Sequence, residues 1–289
     1  MPAPLSDVVL DHVAVAVERW PDAWPCYAVE LGGSWSSGGL NVGFGPAQLR
    51  FANGARVEIL QPWQAEDNPF LRRFLDRHGP GPHHLTFKVP DLRAAIDRSR
   101  QAGLSPVGID VSHADWMEAF LHPRQATGIV VQLAQAAHGW ESPAPEGFPT
   151  ARRTPPASLL RVTHAVANLR AGLALFARLL GGRTRAEGTA PDGSWEYAEL
   201  AWGGPLVVRL ISPIGAAPDT AGEALSAWLG PLPGRLHHLA FSVPASGDRA
   251  ERAPVPVPGL LPEDGPARVV APEDNLGTRL VLVDAPGAP

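Results

Sequence analysis

Cysteine is almost absent from this 289-residue chain: Cys26 stands alone, so no intrachain disulfide can form. Nothing beside Cys26 in the sequence resembles an activating base, and it reads as an ordinary packed residue. Charge is sparse too, with 18% Asp, Glu, Lys and Arg and a formal net charge of -5. No basic block interleaved with aromatics occurs, which argues against nucleic acid as a partner. No apolar run approaches the roughly 18 residues of a membrane span, so no membrane partner is expected. The first ten residues lack a basic start followed by an apolar stretch; a signal peptide is not expected, and a cytoplasmic location is.

Apolar residues are plentiful at 45%, alongside 32 prolines and 30 glycines. That combination describes apolar strands joined by many short turns, in a chain long enough for two ordinary domains. An internal repeat dominates the pattern. Leu10-Asp11-His12-Val13 resembles Val162-Thr163-His164-Ala165, and Gly32-Gly33 recurs as Gly181-Gly182. Val57-Glu58-Ile59-Leu60-Gln61-Pro62 recurs as Val208-Arg209-Leu210-Ile211-Ser212-Pro213, and His83-His84-Leu85 as His237-His238-Leu239. The offsets run from 149 to 154 residues in one order, so the chain is read as a tandem duplication. Each half repeats again internally: 72 residues separate His12 from His84, and 74 separate both Glu58 from Gln132 and His164 from His238.

Residues 8–17 and 83–89 alternate as strands do, and residues 45–61 and 118–134 suit antiparallel strand pairs. Residues 91–103 predict a helix: Asp91 caps it, Leu92, Ala95, Ile96 and Ser99 share one face, and Gly103 ends it. Residues 168–181 read the same way. Each unit is then strand, helix, strand, strand, strand. The last unit is degraded, because residues 246–262 are proline-rich and hold no clear helix. The expected division is residues 1–137, a proline-rich linker at 138–158, and residues 159–289. The expected fold class is α+β: four βαβββ modules paired in two domains, each an open, cup-shaped mixed sheet with flanking helices.

A βαβββ unit in pairs, with histidines on opening strands, resembles the vicinal oxygen chelate superfamily, which includes glyoxalases, extradiol dioxygenases and antibiotic-binding proteins. Residues 7–135 resemble methylmalonyl-CoA epimerases in particular, through Leu10-Asp11-His12, Val57-Glu58-Ile59-Leu60-Gln61-Pro62, Phe74-Leu75-Asp76-Arg77-His78-Gly79, His83-His84-Leu85, Phe120-Leu121-His122-Pro123 and Gly128-Ile129-Val130-Val131-Gln132-Leu133. The resemblance implies metal ligands at His12, Glu58, His84 and Gln132. Two imidazoles, a carboxylate and an amide oxygen leave one divalent ion (Fe, Mn, Co, Ni or Zn) with open positions. Site and ion together carry a charge of about +1, which favours an anionic oxygen chelate. The matching C-terminal positions are His164, Arg209, His238 and Val281, which offer no complete site.

Where such proteins place a basic glutamate on the last strand, this chain has Gln132. Its carboxylate is at Glu58, so proton abstraction is expected to fall to Glu58 or to metal-bound hydroxide. His113, Trp116 and Glu118 are expected to shape a substrate pocket. His83 is expected to face outward and His122 to belong to a turn. Three functions are consistent with this reading. The first is a metal-dependent isomerase or lyase that works by enediolate-type proton transfer on a small carbonyl or acyl-thioester compound. The others are an Fe(II) dioxygenase and a non-catalytic small-molecule or antibiotic binder. A homodimer is a possible assembly.

Overall fold

The computed structural model describes residues 5–215, 218–243 and 257–284. The first half forms an eight-stranded sheet from β1 (Val9–Ala16), β2 (Ser34–Gly38), β3 (Gly45–Arg50), β4 (Arg56–Gln61), β5 (Gly81–Lys88), β6 (Val107–His113), β7 (Trp116–Leu121) and β8 (Val130–Ala136). Their spatial order is β2-β3-β4-β1-β5-β8-β7-β6. Within each module the first strand lies parallel to the last, β1 on β4 and β5 on β8, and the modules join through the antiparallel pair β1·β5. This is the expected α+β arrangement of paired βαβββ modules.

The second half repeats it with β9 (Ser158–Val166), β10 (Arg183–Thr189), β11 (Trp195–Ala201), β12 (Val207–Pro213), β13 (Gly234–Val243), β14 (Ala267–Val270) and β15 (Leu280–Asp284), ordered β10-β11-β12-β9-β13-β15-β14. After β13 the described residues hold two strands where the first half has three after β5. Of the segment expected to lack a helix, residues 246–256 lie outside the described residues. Residues 257–261 are not helical, and a short 3-10 turn begins at Pro262.

The helices follow from local chemistry. α1 (Trp20–Ala23) begins with Pro21 in its first turn and runs on as a π-helical segment, Trp24–Glu30. α3 (Leu92–Gln101) is capped by Asp91, whose side chain accepts from Ala94 N at 3.0 Å, and it buries the four residues expected to form its inner face. α4 (Leu169–Leu173), capped by Asn168 through Ala171 N, likewise continues as a π-helical segment. Two helices were not expected. α2 (Phe70–His78) and α5 (Ala221–Leu229) each link a module's last strand to the next module's first. Leu71 and Leu75, one turn apart, seat α2 on Ala14, Ala16 and Leu60 at one end of the concave face.

The strand period of two puts His12, Ala14 and Ala16 on the concave side of β1, and Val13 and Val15 behind it. Behind the sheets the two halves share one hydrophobic cluster, which includes Val13, Leu85 and Phe87 with Val162, Leu239 and Phe241. Two ring pairs related by the repeat cross this boundary, Phe51 with Phe241 and Phe87 with Trp202, both at 5.0 Å. Backbones meet there as well. A Cβ on Gly128 would overlap the carbonyl of Gly234, and one on Gly277 that of Pro80, the repeat-related contact. Residues 138–158 lie along the first half: Ala157 N donates to Leu31 O at 2.9 Å, and Phe148 packs on Trp24 and Trp35. Among the described residues, no helix is long and apolar enough to cross a membrane.

Gly128 has φ +86 as well as this close contact. Gly128→Ala is therefore expected to destabilise the protein by about 2–4 kcal/mol in chemical denaturation, from left-handed strain plus steric overlap. A change below about 0.5 kcal/mol would show that the halves do not meet there.

Candidate metal centre

The four expected ligands lie on the four central strands, β4, β1, β5 and β8. Register sets them in two adjacent rows: Glu58, Ala14 and His84 stand side by side in one, and His12, Thr86 and Gln132 in the other. The small side chains Ala14 and Thr86 occupy the middle of these rows and leave space between the donors. His12, Glu58, His84 and Gln132 are all buried. Glu58 Oε2 lies 3.5 Å from His12 Nε2 and 3.6 Å from His84 Nε2, and one ligand atom from each of the three falls within 4.8 Å of the others. Ligands about 2.1 Å from one ion at tetrahedral angles stand roughly 3.4 Å apart, so these spacings suit a single divalent cation. His84 Nε2 is buried without a hydrogen-bond partner, as a nitrogen reserved for a metal would be.

The surroundings orient each donor. Asp11 Oδ2 sits 2.8 Å from His12 Nδ1 and accepts a hydrogen bond from its N–H, which turns Nε2 toward Glu58. Asp11 is itself held by Arg56 at 3.1 Å and Lys88 at 3.0 Å. His83 and His84 face each other through their Nδ1 atoms at 2.8 Å. Burial holds the His83 imidazole neutral, with its pKa pushed down to about 4. For His84 Nε2 to offer a lone pair, His84 Nδ1–H must donate and His83 Nδ1 must accept. His83 is thus an orienting partner lining the cavity, not an outward-facing residue. Burial disfavours charge on both Glu58 and His12, but each overcomes it in the other's field. Glu58 falls to about 2, while Glu58 and Asp11 together raise His12 to about 9.

The Gln132 amide bridges two environments. Its Oε1 accepts from Thr86 Oγ1 at 2.5 Å, and Thr86 Oγ1 also lies 2.8 Å from His12 Nε2. Its Nε2 donates to Glu118 Oε2 at 2.8 Å, which points the amide nitrogen away from the donor cluster. Glu118 also accepts from Trp116 Nε1 at 2.8 Å, and burial raises its pKa. Trp116 and Glu118 line the cavity as expected. His113 does not: it is exposed at the end of β6, paired with Trp116 across the hairpin. His122 is a turn residue whose Nδ1 accepts from Arg124 N. Sequence reading had given no role to Asp11, Thr86 or Gln48, whose amide donates to Glu58 Oε1 at 3.2 Å. Asp11 was visible beside His12, but its two cationic partners come from other strands.

The C-terminal cup differs in its side chains and in the register expected from the sequence. Register sets Thr163 opposite both Arg209 and His238, as Ala14 stands opposite Glu58 and His84. The position matching His12 is therefore Arg161, not His164, and Ala240 and Val281 match Thr86 and Gln132. His164 is on the opposite face, its Nε2 donating to Thr127 O at 2.8 Å across the boundary between the halves. Arg161 and Arg209 both bind Asp264 Oδ2 at 2.6 Å, and Arg209 also donates to Glu199 at 2.9 Å. Among the described residues, His12, Glu58 and His84 are the one group of three such donors close enough to hold an ion.

Fold and site together define a tandem βαβββ protein with one cup able to hold a cation and one closed by an ion-pair network. Residues 11–120 match the family model of the Glyoxalase/Bleomycin resistance protein/Dioxygenase superfamily. An ethylmalonyl-CoA/methylmalonyl-CoA epimerase from Cereibacter sphaeroides is 29% identical over 131 residues, 44% of this chain and 96% of that protein. The methylmalonyl-CoA epimerase of Mycobacterium tuberculosis is 29% identical over 48% of this chain and 94% of its own, with a TM-score of 0.42. A 4-hydroxymandelate synthase variant from Streptomyces coelicolor shares the fold across both halves, covering 85% of this chain and 72% of its own at 21% identity, with a TM-score of 0.58.

Asp264 compensates two buried guanidinium groups at once. Asp264→Asn is expected to cost about 3–5 kcal/mol in equilibrium unfolding, because it leaves buried charges unpaired. A loss under about 1 kcal/mol would contradict that role.

Proposed function

We propose that the N-terminal cup binds one divalent ion through His12, Glu58, His84 and Gln132, and that the protein is an isomerase or lyase that moves a proton on a small carbonyl or acyl-thioester compound. The convergence of three buried donors around a common point, one of them an unpartnered imidazole nitrogen, carries this reading. The bound ion would supply Lewis acidity, polarising a carbonyl and easing loss of the neighbouring proton. Glu58, with its pKa near 2 and its position between two imidazoles, is a ligand and a weak base. The proton is better accepted by Glu118, which lines the same cavity one strand away from the ligands. Its hydrogen bonds from Trp116 and Gln132 both fall on Oε2, which leaves Oε1 for the substrate. Its raised pKa makes it the stronger base of the two. The Gln132 amide thus presents oxygen to the ion and holds the base with its nitrogen. The epimerase relative's name supports proton transfer as the reaction type.

The two-His, one-carboxylate set also suits Fe(II) and oxygen chemistry. Oxygen consumption with catechols by the Fe(II)-loaded protein would move that reading ahead of proton transfer.

Glu58→Arg should abolish stoichiometric metal binding, because a guanidinium repels a nearby cation in a buried site. Glu118→Gln should keep one equivalent of metal yet slow solvent-deuterium exchange into a panel of 2-substituted carbonyl compounds and thioesters by about 100-fold or more. Full metal binding by Glu58→Arg, or unchanged exchange by Glu118→Gln, would overturn these assignments.

A further inference from the structure

The cavity in front of the four donors has a volume of about 400 Å³. Beyond the donors its wall is rich in aromatic rings: Phe44, Phe70, Phe120, Trp116 and Trp140. Trp140 is 63% exposed, so the face of its indole is open to a ring entering the cavity it lines. It comes from the segment between the two halves, and that segment is fixed to the cup two residues further on. Ser142 Oγ accepts from Gly38 N at 2.8 Å and donates to Gly38 O at 3.0 Å, while Ser142 O accepts from Trp35 Nε1 at 2.8 Å. The indole is thus held at the cavity wall by an anchored backbone.

The apolar character continues beyond the cavity. Leu40, Val42 and Trp63 are exposed, and Asn41 and Phe44, on either side of Val42, line the cavity. Gly43 N donates to Trp63 O at 2.7 Å and ties these side chains into one surface.

Charge points the same way. Among the described residues lining the cavity, the cationic side chains are Arg56 and Lys88. Both lie within 3.1 Å of Asp11 Oδ1. The carboxyl groups on the wall are Glu58, Glu118 and Glu141. A phosphorylated acyl carrier brings several negative charges and is held by surplus Arg or Lys. This wall has no such surplus.

We propose that the cup selects an aromatic or arylalkyl compound bearing two adjacent oxygens, with Trp140 stacked on its ring, in preference to a phosphorylated acyl thioester. This rests on the metal reading above and narrows its substrate class.

The test uses the full chain loaded with Co(II), with metal content measured first. Acetohydroxamate and benzohydroxamate are two-oxygen chelators that differ by a methyl against a phenyl group, and their binding is followed by the cobalt absorption spectrum. Benzohydroxamate is expected to bind about tenfold more tightly or better, from burial of its ring. Trp140→Ala should weaken benzohydroxamate about fivefold and acetohydroxamate less than about twofold, while Trp140→Phe keeps most of the preference. Malonyl-CoA should bind no more tightly than malonate. Equal binding of the two hydroxamates by a cobalt-loaded protein, an unchanged preference in Trp140→Ala, or tighter binding of malonyl-CoA than malonate would each overturn the proposal and leave the metal reading standing. Failure to take up cobalt at all would remove both.

Discussion

A carboxylate buried in an apolar sheet costs several kcal/mol unless charge of the opposite sign stands beside it, and Glu58 is such a carboxylate. Its position between the imidazoles of His12 and His84 is what the surrounding structure has to maintain. Four strands must lie in the order β4-β1-β5-β8 for the donors to meet, and Ala14 and Thr86 must be small enough to leave room. Asp11 must hold His12 by its Nδ1 atom, which in turn calls on Arg56 and Lys88. His83 sets the tautomer of His84 in the same manner. The site is therefore a product of sheet register supported by a second layer of hydrogen bonds, and both are built from the protein alone.

The second half meets the same electrostatic constraint with the signs reversed. Arg209 occupies the Glu58 position and Arg161 the His12 position, and Asp264, arriving from the irregular segment before β14, neutralises both. The cup that holds an open cavity in the first half is filled here by its own side chains. What this half contributes is surface: the shared cluster behind the sheets, and the glycine contacts that bring the backbones together. The two halves pack as repeat-related copies do, with the ring pairs Phe51·Phe241 and Phe87·Trp202 as counterparts. The two cups thus differ in content: one gathers buried donors around an open cavity, and the other is filled by its own ion pairs.

Much of this was legible in the residues. The repeat, the alternating strands and the capped helix at Asp91 follow from elementary patterns, and the structure forms each of them. The alignment of His12 with His164 failed because Leu-Asp-His-Val and Val-Thr-His-Ala look alike. A shift of three residues moves a side chain to the other face of a strand, since the strand period is two. The glycine pairs, offset by 149 residues, carried the correct register. α2 and α5 escaped notice because each is short and lies between strands that already accounted for the repeat. The bridging amide of Gln132 and its hold on Glu118 depend on cross-strand neighbours, and no spacing along the chain displays those.

The most direct test of a single N-terminal metal centre is anomalous diffraction at the cobalt edge from crystals of the Co(II)-loaded protein. One peak is expected, at roughly 2.0–2.3 Å from His12 Nε2, His84 Nε2, a Glu58 oxygen and the Gln132 amide oxygen. A peak beside His238 in the second cup, or a fully loaded protein with Glu58 turned away from the ion, would contradict it.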